Sequence, residues 1–197
     1  MKQIGLTGGI GCGKTTVLHE FEKLGIPCFV ADEVAGRFYL DKAFCARVGG
    51  VFGQGVMCDD GYVDKAELAK IVFSDSEAMR QLNAMVHPQV MTAYRQWVRA
   101  LEDEAKAPFS LFESAILFDY GFDQYMDATI CVYLDKSERI ARISQRDGAA
   151  LDAIEARMSR QLEAEEMMRR ADYVILNYEG NPRSRQVRHV YDAITAG

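Results

Sequence analysis

Eight residues near the amino terminus have the types and the spacing that phosphate chemistry requires. The stretch Gly8-Gly9-Ile10-Gly11-Cys12-Gly13-Lys14-Thr15 fits the pattern G-x-x-x-x-G-K-[ST], and it lies between an apolar run at residues 4–6 and a helical pattern that begins near Lys14. Glycines let the backbone curl so that successive N–H groups point inward, and these groups form an anion site with the positive end of the following helix. We expect Lys14 to reach the β- and γ-phosphates of a nucleoside triphosphate, and the Thr15 hydroxyl to ligate Mg²⁺.

The same stretch has a plainer interpretation, a glycine-rich turn that only joins a strand to a helix. Four glycines followed by Lys14 and Thr15, with apolar residues at helical spacing after them, favour the phosphate-binding loop. The motif does not by itself choose between a kinase, a GTPase switch and a mechanical ATPase. The loop residues predicted to bind nucleotide are Gly9, Gly11, Cys12, Gly13, Lys14, Thr15 and Thr16.

The elements that must position this loop alternate as they do in a parallel α/β protein. Apolar runs predict five strands, at residues 2–7, 27–31, 109–113, 129–134 and 173–176. Helical segments separate them, including one over 15–24 and a closing helix from Asn181-Pro182 to about Ile194, and this rhythm is typical of right-handed crossovers between parallel strands. The predicted fold class is α/β, with a five-stranded parallel sheet flanked by helices.

Acidic residues follow two of these strands. Asp32 stands just beyond the second strand and Glu113 ends the third. Ligands of open α/β sheets bind at the carboxyl ends of the strands, so we expect Asp32 near the phosphate loop. An aspartate after a strand is also a common helix N-cap, and capping ahead of Glu33 is the alternative role for Asp32.

A helical pattern from residue 33 to about Lys106 interrupts the β-rich rhythm, and we interpret it as a substrate-binding insertion. Predicted breaks fall at Gly49-Gly50, at Asp59-Asp60-Gly61 and at His87-Pro88. The acidic-glycine segment is predicted to be an ordinary turn. For His87 two roles stay open, a ligand contact or a structural hydrogen bond at a helix start.

Residues 136–170 are predicted to form a helical lid over the nucleotide. Three arginines, Arg139, Arg142 and Arg146, recur at helical spacing, and Asp147-Gly148 is predicted to end their helix. The alternative is that arginines here pair with nearby glutamates on solvated faces. We expect that alternative for Arg139, Arg160, Arg169 and Arg170.

Composition narrows the possible partners. Of the 197 residues, 49% are apolar and 26% are charged, and the formal net charge is −6. An acidic balance argues against a broad nucleic-acid or membrane surface, and five cysteines without C-x-x-C spacing argue against a disulfide framework or a zinc site. With no apolar run of membrane-spanning length and no room for a signal peptide before the first strand, we expect a cytoplasmic protein.

Several segments together resemble the dephospho-CoA kinase family, and the resemblance covers nearly the whole chain. Residues 6–16 are similar to the family's L-T-G-G-I-G-S-G-K-S-T, and residues 31–35 are similar to its D-A-D-x-x-A. His87-Pro88 matches its H-P pair. The lid and closing strand of the family resemble Gln145-Arg146-Asp147, Arg157, Gln161, residues 171–175 and Asn177. Departures are Cys12 and Thr15 in place of serines, and residues 115–119, which read A-I-L-F-D where the family has P-L-L-F-E.

The resemblance implies transfer of the γ-phosphoryl group of ATP to the ribose 3'-hydroxyl of dephospho-CoA, which is the last step of coenzyme A biosynthesis. It implies one domain over residues 1–197, with a core at 1–32, 107–135 and 171–197, a substrate-binding subdomain at 33–106 and a lid at 136–170.

The resemblance also implies roles for individual residues. Asp32 is implied to bind the acceptor and act as the catalytic base, and His87 to bind the acceptor. Lys14 is expected to hold the donor phosphates. We choose Arg142 and Arg146 as the lid cations that stabilise the transferring group, because a guanidinium can meet two phosphate oxygens at once. Arg157 is the third cation expected to bind the nucleotide, and Glu113 is a candidate for water-mediated magnesium contact.

Two rival functions and one subsidiary hypothesis stay open. One rival function is that of a GTPase switch, although the chain has no N-K-x-D segment. The other is that of a kinase for a nucleoside, a nucleoside monophosphate or shikimate.

The subsidiary hypothesis concerns Cys12, whose thiol lies close to a predicted helix N-terminus. Such a position can lower the pKa of a thiol and make it reactive, whereas the alternative is an inert small residue.

Overall fold

The computed structural model describes residues 1–104 and 107–196, and the predicted end of the helical insertion near Lys106 lies outside them. The strands are β1 (Lys2–Thr7), β2 (Cys28–Val30), β3 (Phe109–Glu113), β4 (Ala128–Tyr133) and β5 (Tyr173–Leu176). The helices of the described residues are α1 (Lys14–Glu22), α2 (Ala31–Phe38), α3 (Lys42–Phe52), α4 (Lys65–Ser74), α5 (Ser76–Glu104), α6 (Lys136–Asp147), α7 (Leu151–Met158), α8 (Ala164–Arg170) and α9 (Arg183–Ala196). Short 3₁₀ helices lie at Gln54–Val56 and Phe122–Tyr125.

The five strands form one sheet in the order β2-β3-β1-β4-β5, which confirms the predicted parallel α/β architecture. In the register of this sheet, Leu6 of β1 is paired with both Glu113 of β3 and Ile130 of β4. The predicted strand boundaries hold for β1, β3 and β5. The second strand is shorter than predicted because Ala31 already begins α2.

Burial on both faces explains why the central strands are continuous apolar runs. All five residues of β3 are buried, and aromatic rings from the flanking elements pack against it. The ring of Phe109 lies 6.1 Å from that of Phe21 and 5.8 Å from that of Tyr191, and the ring of Phe112 stacks on that of Phe29 at 5.7 Å.

The chain divides into two compact units. One comprises Met1–Phe29 and Glu102–Gly197, which carry β1, α1, β3, β4, β5 and α6 to α9. The other comprises Val30–Leu101, and its most deeply buried large side chains include Phe44 and Tyr94. No described helix is both long enough and apolar enough to cross a membrane.

Two of the three predicted breaks in the second unit are wrong. Gly49 and Gly50 lie inside α3, where the missing side chain of Gly49 makes room for Met57: a Cβ there would lie 2.8 Å from the Met57 sulfur. The helix ends instead at Gly53, whose φ is 89°. The turn predicted at 59–61 is confirmed, since the amide of Gly61 donates to the carbonyl of Cys58 at 3.0 Å.

The break predicted at His87-Pro88 is the second error, because both residues lie inside the 29-residue helix α5. Pro88 costs the helix one backbone hydrogen bond. The helix nevertheless continues because it buries an apolar stripe on both sides of the proline, formed by Val86, Val90, Met91, Tyr94 and Val98. His87 is therefore not a residue at a helix start.

Candidate active site

The glycine-rich loop joins β1 directly to α1. Its turn is closed by a hydrogen bond from the amide of Cys12 to the carbonyl of Gly9 at 3.1 Å. Gly13 occupies the N-cap position of α1 with φ 89°, a left-handed conformation that favours glycine, and no side chain caps the helix. An N-terminus without a side-chain cap is the arrangement that an anion site at this helix requires.

Lys14 lies over this loop, beside a carboxylate from the neighbouring strand. Its Nζ donates to the carbonyl of Gly8 at 2.9 Å and lies 3.9 Å from Oε1 of Glu113. The Lys14 and Glu113 side chains are only 13% and 10% exposed, so their attraction is weakly screened by water. The pairing of β1 with β3 explains the contact, since it sets the last residue of β3 beside the start of the loop.

The hydroxyl residues Thr15 and Thr16 follow Lys14 in the first turn of α1, and both are exposed. Among the described residues no group of three or more His, Cys, Asp or Glu side chains is placed to hold a metal ion. A single hydroxyl nevertheless fits Mg²⁺ bound with a nucleotide, because that ion takes most of its ligands from water and substrate phosphates.

Arg142 of α6 reaches the glycine loop. Its Nη2 donates to the backbone carbonyl of Asn177 at 2.9 Å, and its Nη1 lies 3.6 Å from the point where a Cβ on Gly13 would stand. The guanidinium is therefore fixed next to the beginning of α1.

Asn177 is a site residue whose role the sequence does not reveal, beyond its place in a segment that resembles the family. It follows β5 and is buried. Its Nδ2 donates to the carbonyl of Cys12 at 2.7 Å, and its Oδ1 accepts from Arg183 at 3.1 Å. A methyl group on Gly13 would overlap with the amide nitrogen of Asn177, so the close approach requires glycine there. The sequence offers two signals for this residue, a polar side chain directly after a predicted strand and a segment that resembles the family.

Arg146 and Arg157, the two other predicted nucleotide cations, bind a common carboxylate. Arg146 donates to Asp147 through Nε at 2.6 Å and through Nη2 at 3.1 Å, while Nη1 of Arg157 donates to the same carboxylate at 2.9 Å. The two guanidinium groups hold the pKa of Asp147 well below its usual range. The structure therefore brings Arg146 and Arg157 together across the turn between α6 and α7.

Arg139 contradicts the prediction that it lies on a solvated face. It is 4% exposed, and a methyl group on Gly9 would overlap with its Nη1. Helical spacing gave the right helix but could not tell which side of α6 packs on the loop. The solvated arrangement is confirmed for Arg169, which pairs with Glu166 at 2.6 Å, whereas Arg170 pairs with Asp123 at 3.3 Å and lies over the ring of Phe118.

The segment predicted as a lid also contacts the loop through apolar and amide groups. Ile10 packs against a cluster of Ile143, Ile154 and Met158 from α6 and α7, and its amide donates to Oε1 of Gln161 at 2.9 Å. The next residue, Leu162, donates its amide to Asp119 at 2.8 Å. Asp119 therefore anchors the connection between α7 and α8.

Cys12 is buried, which contradicts the lowered pKa considered for its thiol. Burial raises the pKa of the Cys12 thiol, and this effect outweighs the lowering by the nearby positive charge of Lys14. The thiol packs beneath the loop, where a Cβ on Gly8 would lie 2.7 Å from the sulfur. Cys12 is thus a small buried residue that offers its backbone to the loop.

The predicted acceptor-binding residues lie in the second unit. Asp32 is exposed in the first turn of α2, and Val30 occupies the N-cap position with no side-chain cap, so the capping role considered for Asp32 is wrong. His87 is partly buried in α5, and this burial lowers its pKa to about 4. The imidazole is therefore neutral at pH 7.

A family model and individual relatives of this chain point to the same family. The family model described as dephospho-CoA kinase matches residues 2–182. A dephospho-CoA kinase of Salinibacter ruber is 35% identical over 200 residues, with all of both chains covered, and one of Syntrophotalea carbinolica is 35% identical over 178 residues, covering 90% of this chain and 84% of that one. The crystal structure of TT1252 from Thermus thermophilus is 30% identical with a TM-score of 0.85, covering 100% of this chain and 98% of that one. The chain belongs to the dephospho-CoA kinase family.

Proposed function

We propose that this protein transfers the γ-phosphoryl group of ATP to the ribose 3'-hydroxyl of dephospho-CoA, giving ADP and CoA. The observation that carries the proposal is the glycine loop with Lys14 laid across it, in a chain that belongs to this family throughout. Loop amides, the start of α1 and Lys14 supply the positive charge that a triphosphate needs.

The donor side of the reaction requires positioning and charge neutralisation more than covalent chemistry. Lys14 exchanges the Gly8 carbonyl for the β- and γ-phosphates when ATP binds, and Arg142 binds the nucleotide beside the start of α1. The Thr15 hydroxyl would hold Mg²⁺, and Glu113 would contact the ion through water. When bound, such an ion would supply positive charge against the phosphate oxygens.

Arg146 and Arg157 add positive charge beside the phosphoryl group that is transferred. Both carry a planar fork of donors, which matches phosphate oxygens as well as it matches the Asp147 carboxylate. The ion pairs of these arginines with Asp147 are exposed to solvent, so breaking them to bind a phosphate costs little free energy. Asp147 thus keeps two cations together until the nucleotide arrives.

The acceptor side belongs to the second unit. Asp32 orients the 3'-hydroxyl and accepts its proton, and His87 contacts dephospho-CoA as a neutral hydrogen-bonding group. We assign the substrate-binding subdomain to residues 33–106, the lid to 136–170 and the core to the remainder, and we place the enzyme in the cytoplasm.

A coupled ADP-release assay over a panel of acceptors tests the proposal. The panel contains dephospho-CoA, adenosine, AMP and shikimate, with ATP and Mg²⁺ present and with chelator as the metal control. We expect ADP release to depend on dephospho-CoA and on Mg²⁺. Release with another acceptor would assign a different small-molecule kinase, and hydrolysis without any acceptor would assign a nucleotide switch.

A further inference from the structure

We propose that Arg139 is an additional cation of the nucleotide site, one that acts on bound phosphates through the back of the glycine loop. The assignment rests on the proposed function for the identity of the anion, a nucleoside di- or triphosphate. It goes beyond the cations assigned above, because nothing in the motifs of the sequence gives Arg139 a role in phosphate binding.

The first observation is the burial of an uncompensated charge. Arg139 is 4% exposed, its Nε is buried without a hydrogen-bond partner, and no carboxylate of the described residues forms an ion pair with it. An arginine stays charged at any pH a protein experiences, so it cannot avoid the cost by losing its proton. A buried cation without a partner is strongly destabilising unless an anion compensates it.

The second observation is the place of the guanidinium. The Nη1 atom of Arg139 packs against Gly9. The backbone carbonyl of Arg139 lies 2.9 Å from where a Cβ on Gly11 would stand, and Ile143, one helical turn later, also packs on Gly11. Arg139 is therefore held by α6 directly against the loop that is proposed to bind phosphates. Any larger residue at Gly9 would displace it.

The carboxylates near Arg139 among the described residues form no ion pair with it, and Glu113 pairs with Lys14 instead. Arg139 lines a cavity of about 220 Å³ together with Lys136, Glu155 and Glu163. Glu155 already pairs with Lys136 at 3.5 Å, and neither glutamate comes within 4.0 Å of the guanidinium. A polyphosphate in the glycine loop would bring several negative charges towards the guanidinium that packs against Gly9.

Charge at this position predicts two effects that a purely structural arginine would not produce. The free protein carries an unfavourable charge that the nucleotide relieves, so removing the charge weakens nucleotide binding without destabilising the free protein. The loss of affinity is also larger for ATP than for ADP, and it decreases with added salt, because both dependences follow from Coulomb attraction.

The test compares Arg139→Met, which keeps the apolar stem, with Arg139→Lys, which keeps the charge. Arg169→Met is the matched control, because it removes an arginine charge from the same lid segment at a side chain that is 72% exposed. Dissociation constants for ATP and ADP are measured by calorimetry at low and moderate salt, and the melting temperature of each free protein is recorded.

We expect Arg139→Met to weaken ATP binding about tenfold or more and ADP binding by less, with Arg139→Lys close to wild type and Arg169→Met unchanged. The melting temperature of free Arg139→Met should equal or exceed that of wild type. Unchanged nucleotide affinity in Arg139→Met overturns the proposal, and so does a loss of affinity that Arg139→Lys fails to restore. These measurements use nucleotide alone, so a protein that binds ATP but does not phosphorylate dephospho-CoA would refute the proposed function and leave this inference intact.

Discussion

Asp32 is the residue on which the proposed chemistry depends most directly. It is exposed at the start of α2, and it caps nothing, since the N-cap position belongs to Val30. Its loss should therefore cost little stability, at most the few tenths to about 1 kcal/mol that a carboxylate contributes near a helix N-terminus. The loss of a general base is far more serious for turnover.

We predict that Asp32→Asn lowers kcat by about 10²- to 10⁴-fold and changes the melting temperature little. Steady-state ADP release and thermal unfolding measure the two effects. Glu33→Gln is the matched control, because it removes the neighbouring exposed carboxylate of the same helix turn. Near-normal turnover in Asp32→Asn would remove this residue from the mechanism.

Asn177 connects the glycine loop, through Cys12, with Arg183 of α9. Replacing it with aspartate keeps the acceptor for Arg183 but sets an oxygen against the Cys12 carbonyl, where Nδ2 now donates at 2.7 Å. We predict that Asn177→Asp lowers the free energy of unfolding by about 1–3 kcal/mol and weakens ATP binding. Urea unfolding and calorimetry provide the measurements.

The control for this change is Asn181→Asp, an identical substitution at an exposed residue four positions along the chain. It should leave unfolding and ATP affinity near wild type. Equal effects from both substitutions would mean that added negative charge, rather than the buried hydrogen bond, determines the outcome.

His87 is predicted to make stability depend on pH. Burial lowers its pKa to about 4 from an ordinary value of 6.5, so between these values the unfolded chain binds more protons than the folded chain. Stability from this residue is therefore fully present above about pH 6.5 and is lost as the pH falls towards 4. Across that range the loss has an upper limit of about 3 kcal/mol.

The comparison of wild type with His87→Gln from pH 7 to pH 4.5 isolates this contribution from the other titrating groups. We expect the melting temperature of wild type to fall more steeply than that of the variant. Parallel curves would show that His87 is as easily protonated in the folded protein as in the unfolded chain.

At the scale of elements, α5 carries a proline that its packing overrides. Pro88 is exposed and lies within a continuous helix, so its ring contributes little to burial while it removes one backbone hydrogen bond. We predict that Pro88→Ala raises the free energy of unfolding by about 1–3 kcal/mol, because alanine restores the bond and propagates a helix better. Chemical denaturation checks the value, and a destabilised variant would mean that the proline ring itself contributes to the packing of α5.

Helix α6 shows why an element can be predicted correctly while its orientation is not. Spacing of three and four residues placed Arg139, Arg142 and Arg146 on one helix, and α6 confirms this. Their surroundings nevertheless differ completely: Arg139 is buried, Arg142 binds the Asn177 carbonyl, and Arg146 binds Asp147. Which side of α6 meets the loop depends on where β4 ends, and no local pattern contains that information.

At the scale of the whole molecule, a ligand that binds only the folded state raises stability by mass action. ATP at about 100 times its dissociation constant should add about 2.7 kcal/mol. For a chain of this length that corresponds to a rise in melting temperature of about 5–10 °C. We predict this rise with ATP and a clearly smaller one with GTP at the same concentration, measured by thermal shift; equal shifts would contradict the choice of adenine.

The parallel sheet, the glycine loop and the charge of its lysine could be predicted from the sequence because each depends on local rules. Buried parallel strands are continuous apolar runs, and only glycines allow the left-handed turn at Gly13. Local rules failed where packing outweighs propensity, as at Gly49 and Pro88 inside helices. They also failed for Cys12, because the sequence gives its distance from a helix start but not its burial.

The sequence by itself determined the class of fold, the anion site and the family, since each of these depends on residue types at fixed spacing. Tertiary structure alone decided which partners the buried polar groups meet: Glu113 with Lys14, Asn177 with the Cys12 carbonyl, and Arg139 with the back of the loop. Those contacts join residues far apart in the chain, and strand register and helix packing bring them together. Charge and hydrogen bonding depend on such distances, so the electrostatics of the site follow from the fold rather than from the motif.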